Sequence, residues 1–208
     1  MQTTNRDLMQ QARDALKGRW GLAVGGNVIY IILGMLIQAI PRVGWIGGLI
    51  VGGPLLLGWT AFFLSFSRKQ EAQLSQLFEG FQNFTRALVT YLLLILFVVL
   101  WTVLLVVPGI MAALSYSQTF FILAENPQME SLDTLRKSKT MMLGNRWKLF
   151  CLFWRFFGWC LLGILTLGIG FLWIMPYMQT SLARFYDDLK TGDAPPTLEG
   201  VVSQTSQP

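Results

Sequence analysis

From Ala87 through Ala124 the chain carries no charged residue, and this run limits the possible folds more than any other feature. At about 1.5 Å of rise per helical residue, half of it can cross a hydrocarbon core about 30 Å thick. Two other runs, residues 20–66 and 147–186, are almost as apolar. The charges collect between the three blocks. Only 13% of the 208 residues are charged, against about a quarter in a soluble domain. Their clustering marks a polytopic helical membrane protein rather than a greasy soluble one.

Each block has room for two spans and a turn. Hairpin one occupies residues 20–66 and is expected to turn at Pro41–Gly48. Hairpin two, residues 87–125, turns at Val107-Pro108-Gly109, and hairpin three, residues 147–186, turns at Gly168-Ile169-Gly170. The expected fold is all-α, with six transmembrane helices in three hairpins. Gly47, Gly48, Gly52, Gly53 and Pro54 crowd the start of the second span. A phosphate-binding loop would need a preceding strand and a following Gly-Lys-Ser/Thr, and neither is there, so this cluster reads as close helix packing or a broken helical turn.

The segments between blocks read as basic amphipathic helices on the membrane surface. In residues 1–19, Leu8, Met9, Ala12, Ala15 and Leu16 recur at helical spacing. In residues 67–86, Leu74, Leu77, Phe78, Phe81 and Phe84 form a stripe, and in residues 126–146 Met129, Leu132, Leu135 and Met142 do so. For the third helix Ser131 is the expected N-cap and Gly144-Asn145 the stop. No signal-peptide cleavage pattern follows the first apolar core, so the N-terminus is expected to be retained. Residues 187–208 are polar and unpatterned, and read as a disordered cytoplasmic tail.

Orientation follows from the excess of Lys and Arg on one side. Arg19, Arg86, Arg136, Lys137, Lys139, Arg146 and Lys148 all flank the blocks, whereas the three turns hold only Arg42. Both termini are therefore expected in the cytoplasm, with those seven residues at anionic lipid headgroups. The net charge of +5 is assigned to lipid and not to nucleic acid. Trp20, Trp45, Trp147 and Tyr186 suit interface belts. Arg19-Trp20 and Arg146-Trp147 open hairpins one and three, and Arg86 opens hairpin two, which suggests a helix-plus-hairpin unit repeated three times. Any hairpin needing Arg and Trp at its cytoplasmic edge would give the same pattern.

Several stretches together resemble a known family. These are Val107 through Gln128, Leu135 through Cys151, Phe156-Phe157-Gly158-Trp159, Leu165 through Phe171, Pro176-Tyr177 and Phe185-Tyr186. As an ordered set they are similar to the bacterial membrane proteins classed as domain of unknown function 975. The resemblance covers most of the chain and is densest after Tyr91. It implies a multi-pass protein of the bacterial inner membrane, with no settled activity. Relatives tend to have an uncharged residue where this chain has Arg155.

Arg155 is the sharpest anomaly, a charge about two turns into the fifth span, where insertion costs about 2.5–3.5 kcal/mol. It reads either as a site for an anionic substrate or lipid phosphate, or as a side chain snorkelling to the cytoplasmic interface. Gln118, Gln179 and Asn27 are further polar residues in spans, which either line a path or bond across helices. Glu125 is placed to accept a hydrogen bond from a basic residue of the loop after it. With no histidine, and with Cys151 and Cys160 on opposite helix faces, zinc sites and histidine-based catalysis are excluded. No cofactor is expected. The leading expectation is a non-enzymatic scaffold, assembly or regulatory component that binds lipids, other membrane proteins or its own copies. The alternative is a small transporter or channel with a path between the hairpins.

Overall fold

The computed structural model describes residues 3–39, 44–166 and 168–193. Every regular element among them is helical: α1 (Asn5–Leu16), α2 (Trp20–Gln38), α3 (Gly44–Ser67), α4 (Gln76–Glu79), α5 (Phe84–Leu104), α6 (Val106–Tyr116), α7 (Thr119–Glu125), α8 (Ser131–Met141), α9 (Arg146–Leu165) and α10 (Phe171–Asp193). Five stretches are long and apolar enough to cross a membrane: Trp20–Gln38, Ile46–Ser67, Phe84–Leu104, Val107–Glu125 and Arg146–Leu165. α10 does not join them, because Gln179, Thr180 and Ser181 dilute its apolar start and Arg184, Asp187 and Asp188 follow closely.

α3 is the central helix. It packs against α1, α2, α4, α5, α7 and α10, and its aromatic face of Phe62, Phe63 and Phe66 is wholly buried. The glycines at its start allow close approach to α5. A Cβ on Gly53 would lie 2.6 Å from the Ala87 carbonyl oxygen, so helix packing is indeed what this glycine cluster serves. Contrary to the expected turn through Gly48, α3 already begins at Gly44; residues 41–43 of that turn lie outside the described residues.

Residues 67–86 do not form the long surface helix that the stripe suggested. α3 is closed by Lys69, two residues past its end, whose φ of 57° is left-handed. The Gln70 N–H returns to the Ser65 carbonyl at 3.0 Å and the Lys69 N–H to the Phe66 carbonyl at 3.1 Å, a Schellman closure. The chain then folds back and lays the single turn α4 on α3. A Cβ on Gly58 would sit 2.1 Å from the Leu77 carbonyl oxygen, and one on Gly80 would sit 1.9 Å from that of Pro54. This contact is backbone against backbone. Leu77 is buried beneath it, while Leu74, Phe78 and Phe81 remain exposed.

The other amphipathic helices form, but their apolar faces are buried within the protein rather than on the bilayer. A capping box starts α1, with the Asp7 N–H bonded to the Thr4 hydroxyl and the Thr4 N–H to the Asp7 carboxylate. Its residues Leu8, Ala12, Ala15 and Leu16 are all 5% exposed or less, and burying each leucine contributes about 2–3 kcal/mol. α8 buries Thr134, Leu135, Ser138, Met141 and Met142, and leaves Leu132 outside. Its N-cap is Glu130, and Ser131 is the first helical residue. Gly144, at φ 81°, ends the turn after it as expected.

Two boundaries shift in the second and third blocks. The break between α5 and α6 falls at Leu105, with φ −161° and ψ 138°. Pro108 sits inside the first turn of α6, where its missing N–H costs nothing. The Gly168 turn is where it was expected, with φ 90°. α10 continues to Asp193, so residues 187–193 are helix and not tail; residues 194–208 lie outside the described residues. Cys151 and Cys160 are both free thiols.

Gly80→Ala is expected to cost about 1–3 kcal/mol, because the backbone oxygen it meets cannot rotate away. Gly25→Ala, with no atom within 4 Å of its Cβ, is the matched control. Thermal unfolding in mild detergent should lower the midpoint for the first and leave the second unchanged or raised.

Candidate functional site

The polar side chains that converge do so where helices begin and end. Arg68 follows α3, Glu125 closes α7, and Asp187 lies in the last third of α10. Arg68 Nη2 donates to Glu125 Oε1 at 2.8 Å and to Asp187 Oδ1 at 2.9 Å, and its Nε reaches the same Asp187 oxygen at 3.2 Å. Ser67 Oγ donates to Asp187 Oδ2 at 3.0 Å. Glu125 also accepts from the Tyr186 hydroxyl at 2.7 Å and from Lys190 Nζ at 2.6 Å. Its partners therefore come from the end of α3 and from α10, not from the loop that follows it. Tyr186, read from the sequence as a belt residue, is 1% exposed and stacks on Phe121 with ring centroids 5.7 Å apart.

A second cluster joins the N-terminal segment to α9 and α10. Lys148 Nζ donates to Asp188 Oδ2 at 2.7 Å, and the Thr3 N–H donates to Asp188 Oδ1 at 3.1 Å. The Thr3 hydroxyl donates to the same oxygen, and Asn5 Nδ2 donates to the Lys148 carbonyl at 3.0 Å. Burial works to raise the Asp188 pKa, but the bonds from Lys148 and Thr3 outweigh it and hold the carboxyl below its ordinary value.

Of the seven basic residues expected at lipid headgroups, three turn inward instead. Arg19 Nη1 donates to the Gln70 carbonyl at 2.7 Å, and its guanidinium lies 4.9 Å from the Phe66 ring centroid. Arg86 Nη1 donates to the Pro127 carbonyl at 2.9 Å and to the Gln128 side chain. Lys148 is the residue just described. Arg136, Lys137 and Lys139 are exposed, Arg136 within 3.5 Å of Asp133. Arg146 is half-buried, its Nε without a partner among the described residues.

The four polar candidates in spans do not form one site. Gln118 is wholly buried in the break between α6 and α7. Its Nε2 donates to Ser117 Oγ at 3.1 Å, but its Oε1 has no partner among the described residues. Asn27 and Gln179 are buried on α2 and α10, and no hydrogen bond among the described residues joins them to Gln118 or to Arg155. Arg155 is exposed on α9. It lines an open groove of about 610 Å³ with Arg6, Arg13, Asp14 and Lys17 of α1 and its end and Tyr177 of α10. The groove gathers four cations around one carboxylate, and Lys17 holds that carboxylate at 2.6 Å. Sequence reasoning missed it because its halves lie about 140 residues apart; only the seating of α1 on α10 brings them together.

Such a surface can bind an anion. Among the described residues no three His, Cys, Asp or Glu side chains are grouped to hold a metal ion. The profile of a family described as "Protein of unknown function (DUF975)" matches residues 1–110 and 102–193, stretches that carry both ion-pair clusters and the groove. The chain belongs to the DUF975 family. No curated protein and no solved structure matches it.

Two outcomes test the clusters. Arg68→Ala leaves Glu125 and Asp187 short of a donor and is expected to cost about 2–3 kcal/mol, seen as a lowered thermal midpoint. Because the Asp188 pKa is depressed on folding, its contribution is complete above the ordinary carboxylate value, about 4, and is lost as pH falls through the folded value below it. Protection of the α1 amides against hydrogen exchange, taken relative to the intrinsic rate at each pH, should stay flat between pH 7 and about 5 and fall below about 4. Asp188→Asn should abolish that pH dependence.

Proposed function

We propose that the chain is an integral protein of the bacterial cytoplasmic membrane with six spans in three hairpins and both ends in the cytoplasm. Its work is non-enzymatic: it binds other membrane proteins or lipids as a scaffold, assembly or regulatory component. The sixth span is α10 from Phe171 to Tyr186. Parity supports this, because the hydrogen bond from Thr3 to Asp188 requires both ends on one side of a bilayer, and five crossings would separate them. Other contacts agree. Arg19 before α2 meets Phe66 near the end of α3. Arg86 at the start of α5 meets Pro127 after α7. Lys148 at the start of α9 meets Asp188 late in α10. The side where they meet carries most of the Lys and Arg, as a cytoplasmic face should.

One observation carries the functional reading. The two ion-pair clusters are occupied in tying elements together, while the long helices leave their apolar surface outside. The spanning windows of α2, α5 and α9 are only 17%, 11% and 22% buried. Surfaces of that kind are covered by lipid or by the helices of another membrane protein. A second reading, transport, is favoured by Gln118 alone, whose amide oxygen, without a partner among the described residues, sits in a helix break, where transporters place their solute sites.

Reporter fusions at Gly109 and Gly170 should read external, and fusions at Ser67 and Asn126 internal. Native mass spectrometry of protein gently extracted from its own membrane should find a stoichiometric protein partner or retained lipid. A bare chain whose reconstituted flux is abolished by Gln118→Leu, with folding intact, would replace this reading with transport.

A further inference from the structure

The basic groove beside α1 does not end at Tyr177. Arg13 and Tyr177 also line a second cavity, of about 190 Å³, whose other walls are Trp20, Trp159, Trp173 and Ile174. One site thus has a cationic part and an aromatic part that share two wall residues. The helices fix the direction of the change. On α9, Trp159 lies one turn beyond Arg155. On α10, Trp173 lies one turn before Tyr177. α9 runs toward the turn around Gly168 and α10 runs away from it, so both steps lead the same way: from the charges of α1 toward the far end of the bundle. In a membrane that is the direction from headgroups into hydrocarbon.

The charges are also available. Asp14 is the one acid among the groove's described lining residues, and Lys17 occupies it. Arg6, Arg13 and Arg155 make no hydrogen bond or ion pair among the described residues. A guanidinium presents a planar fork that fits phosphate oxygens, and tryptophan rings suit the boundary just below a headgroup.

From this we infer that the groove seats an anionic phospholipid, its phosphate between Arg13 and Arg155 and one acyl chain along Trp159 and Trp173. The inference deepens the functional reading above by naming the lipid class, and it rests on the topology that puts α1 on the cytoplasmic side. Free phosphate offers the guanidinium groups the same chemistry but has no use for the tryptophan walls.

The test titrates the delipidated full-length chain, in neutral detergent, with phosphatidylglycerol, phosphatidylcholine and inorganic phosphate, and counts bound molecules by native mass spectrometry. The expected result is one phosphatidylglycerol per chain in preference to phosphatidylcholine. Arg13→Gln and Arg155→Gln should each weaken it about fivefold, and the pair about twenty-five-fold. Trp159→Ala with Trp173→Ala should also weaken it. Both arginines are exposed, so their variants should keep the wild-type melting temperature, and Arg136→Gln, an exposed charge on α8, should leave binding unchanged.

Wild-type affinity in the double arginine variant would overturn the inference. So would an equal loss with Arg136→Gln, which would reduce the site to general surface charge. Inorganic phosphate binding as tightly as the lipid and indifferent to the tryptophan variants would make it a free-phosphate site and overturn the lipid assignment. The broader reading is judged separately, from spectra of the native extract: a protein partner retained without selective lipid sinks only this inference. Selective lipid without a partner sustains it and removes only the protein-binding half of that reading.

Discussion

Arg68 reaching Glu125 and Asp187 at once is the tie on which the arrangement depends. It joins the end of the central helix to the end of α7 and to the last third of α10, elements separated by more than a hundred residues at the extremes. Apolar packing alone would specify this arrangement poorly, since in lipid a helix loses little by exchanging a protein neighbour for acyl chains. Charge-assisted bonds are directional and break steeply with displacement, so they fix which helix ends meet. Lys148 with Asp188 does the same for α9 and the N-terminal segment.

The sequence revealed the class and most of the elements, because both depend on local or cumulative properties. An uninterrupted apolar run means a span wherever it packs, and the Gly168 turn and the stop at Gly144 depend on residues within a few positions. What was hidden depends on contacts between distant segments. The stripe from Leu74 to Phe84 has helical spacing, yet Gly58 and Gly80 draw that segment into a backbone contact that only one helical turn survives. Pro108 looked like a turn residue and instead starts a helix, since proline suits both positions. Arg155 was conspicuous for its charge, but its neighbours on α1 could not be read from its own surroundings. Arg19, Arg86 and Lys148 counted correctly toward the basic excess on one side, yet each is bound to protein.

The three arginines that open the apolar blocks are alike in sequence and only partly alike in space. Arg19 donates to a main-chain carbonyl in the segment leaving α3, and Arg86 donates to one in the segment leaving α7. In both cases the start of a long helix is latched to the chain just past its returning partner. At the start of α9 the latch passes to Lys148, which uses a carboxylate late in α10. The latch at the start of a long helix is therefore made twice in one chemistry and once in another.

The seating of α1 has a consequence for how the molecule is made. Its Thr3 anchor lies on α10, and Leu8 shares a core with residues drawn largely from α7 to α10, all synthesised well after it. Leu16 shares its core with Ala23, Phe62, Phe63 and Phe66, which follow soon in the chain, but during translation Leu8 lacks most of its own. Completion of α9 and α10 then supplies that core and sets α1 beside Arg155, so an early element of the nascent chain takes its final place late.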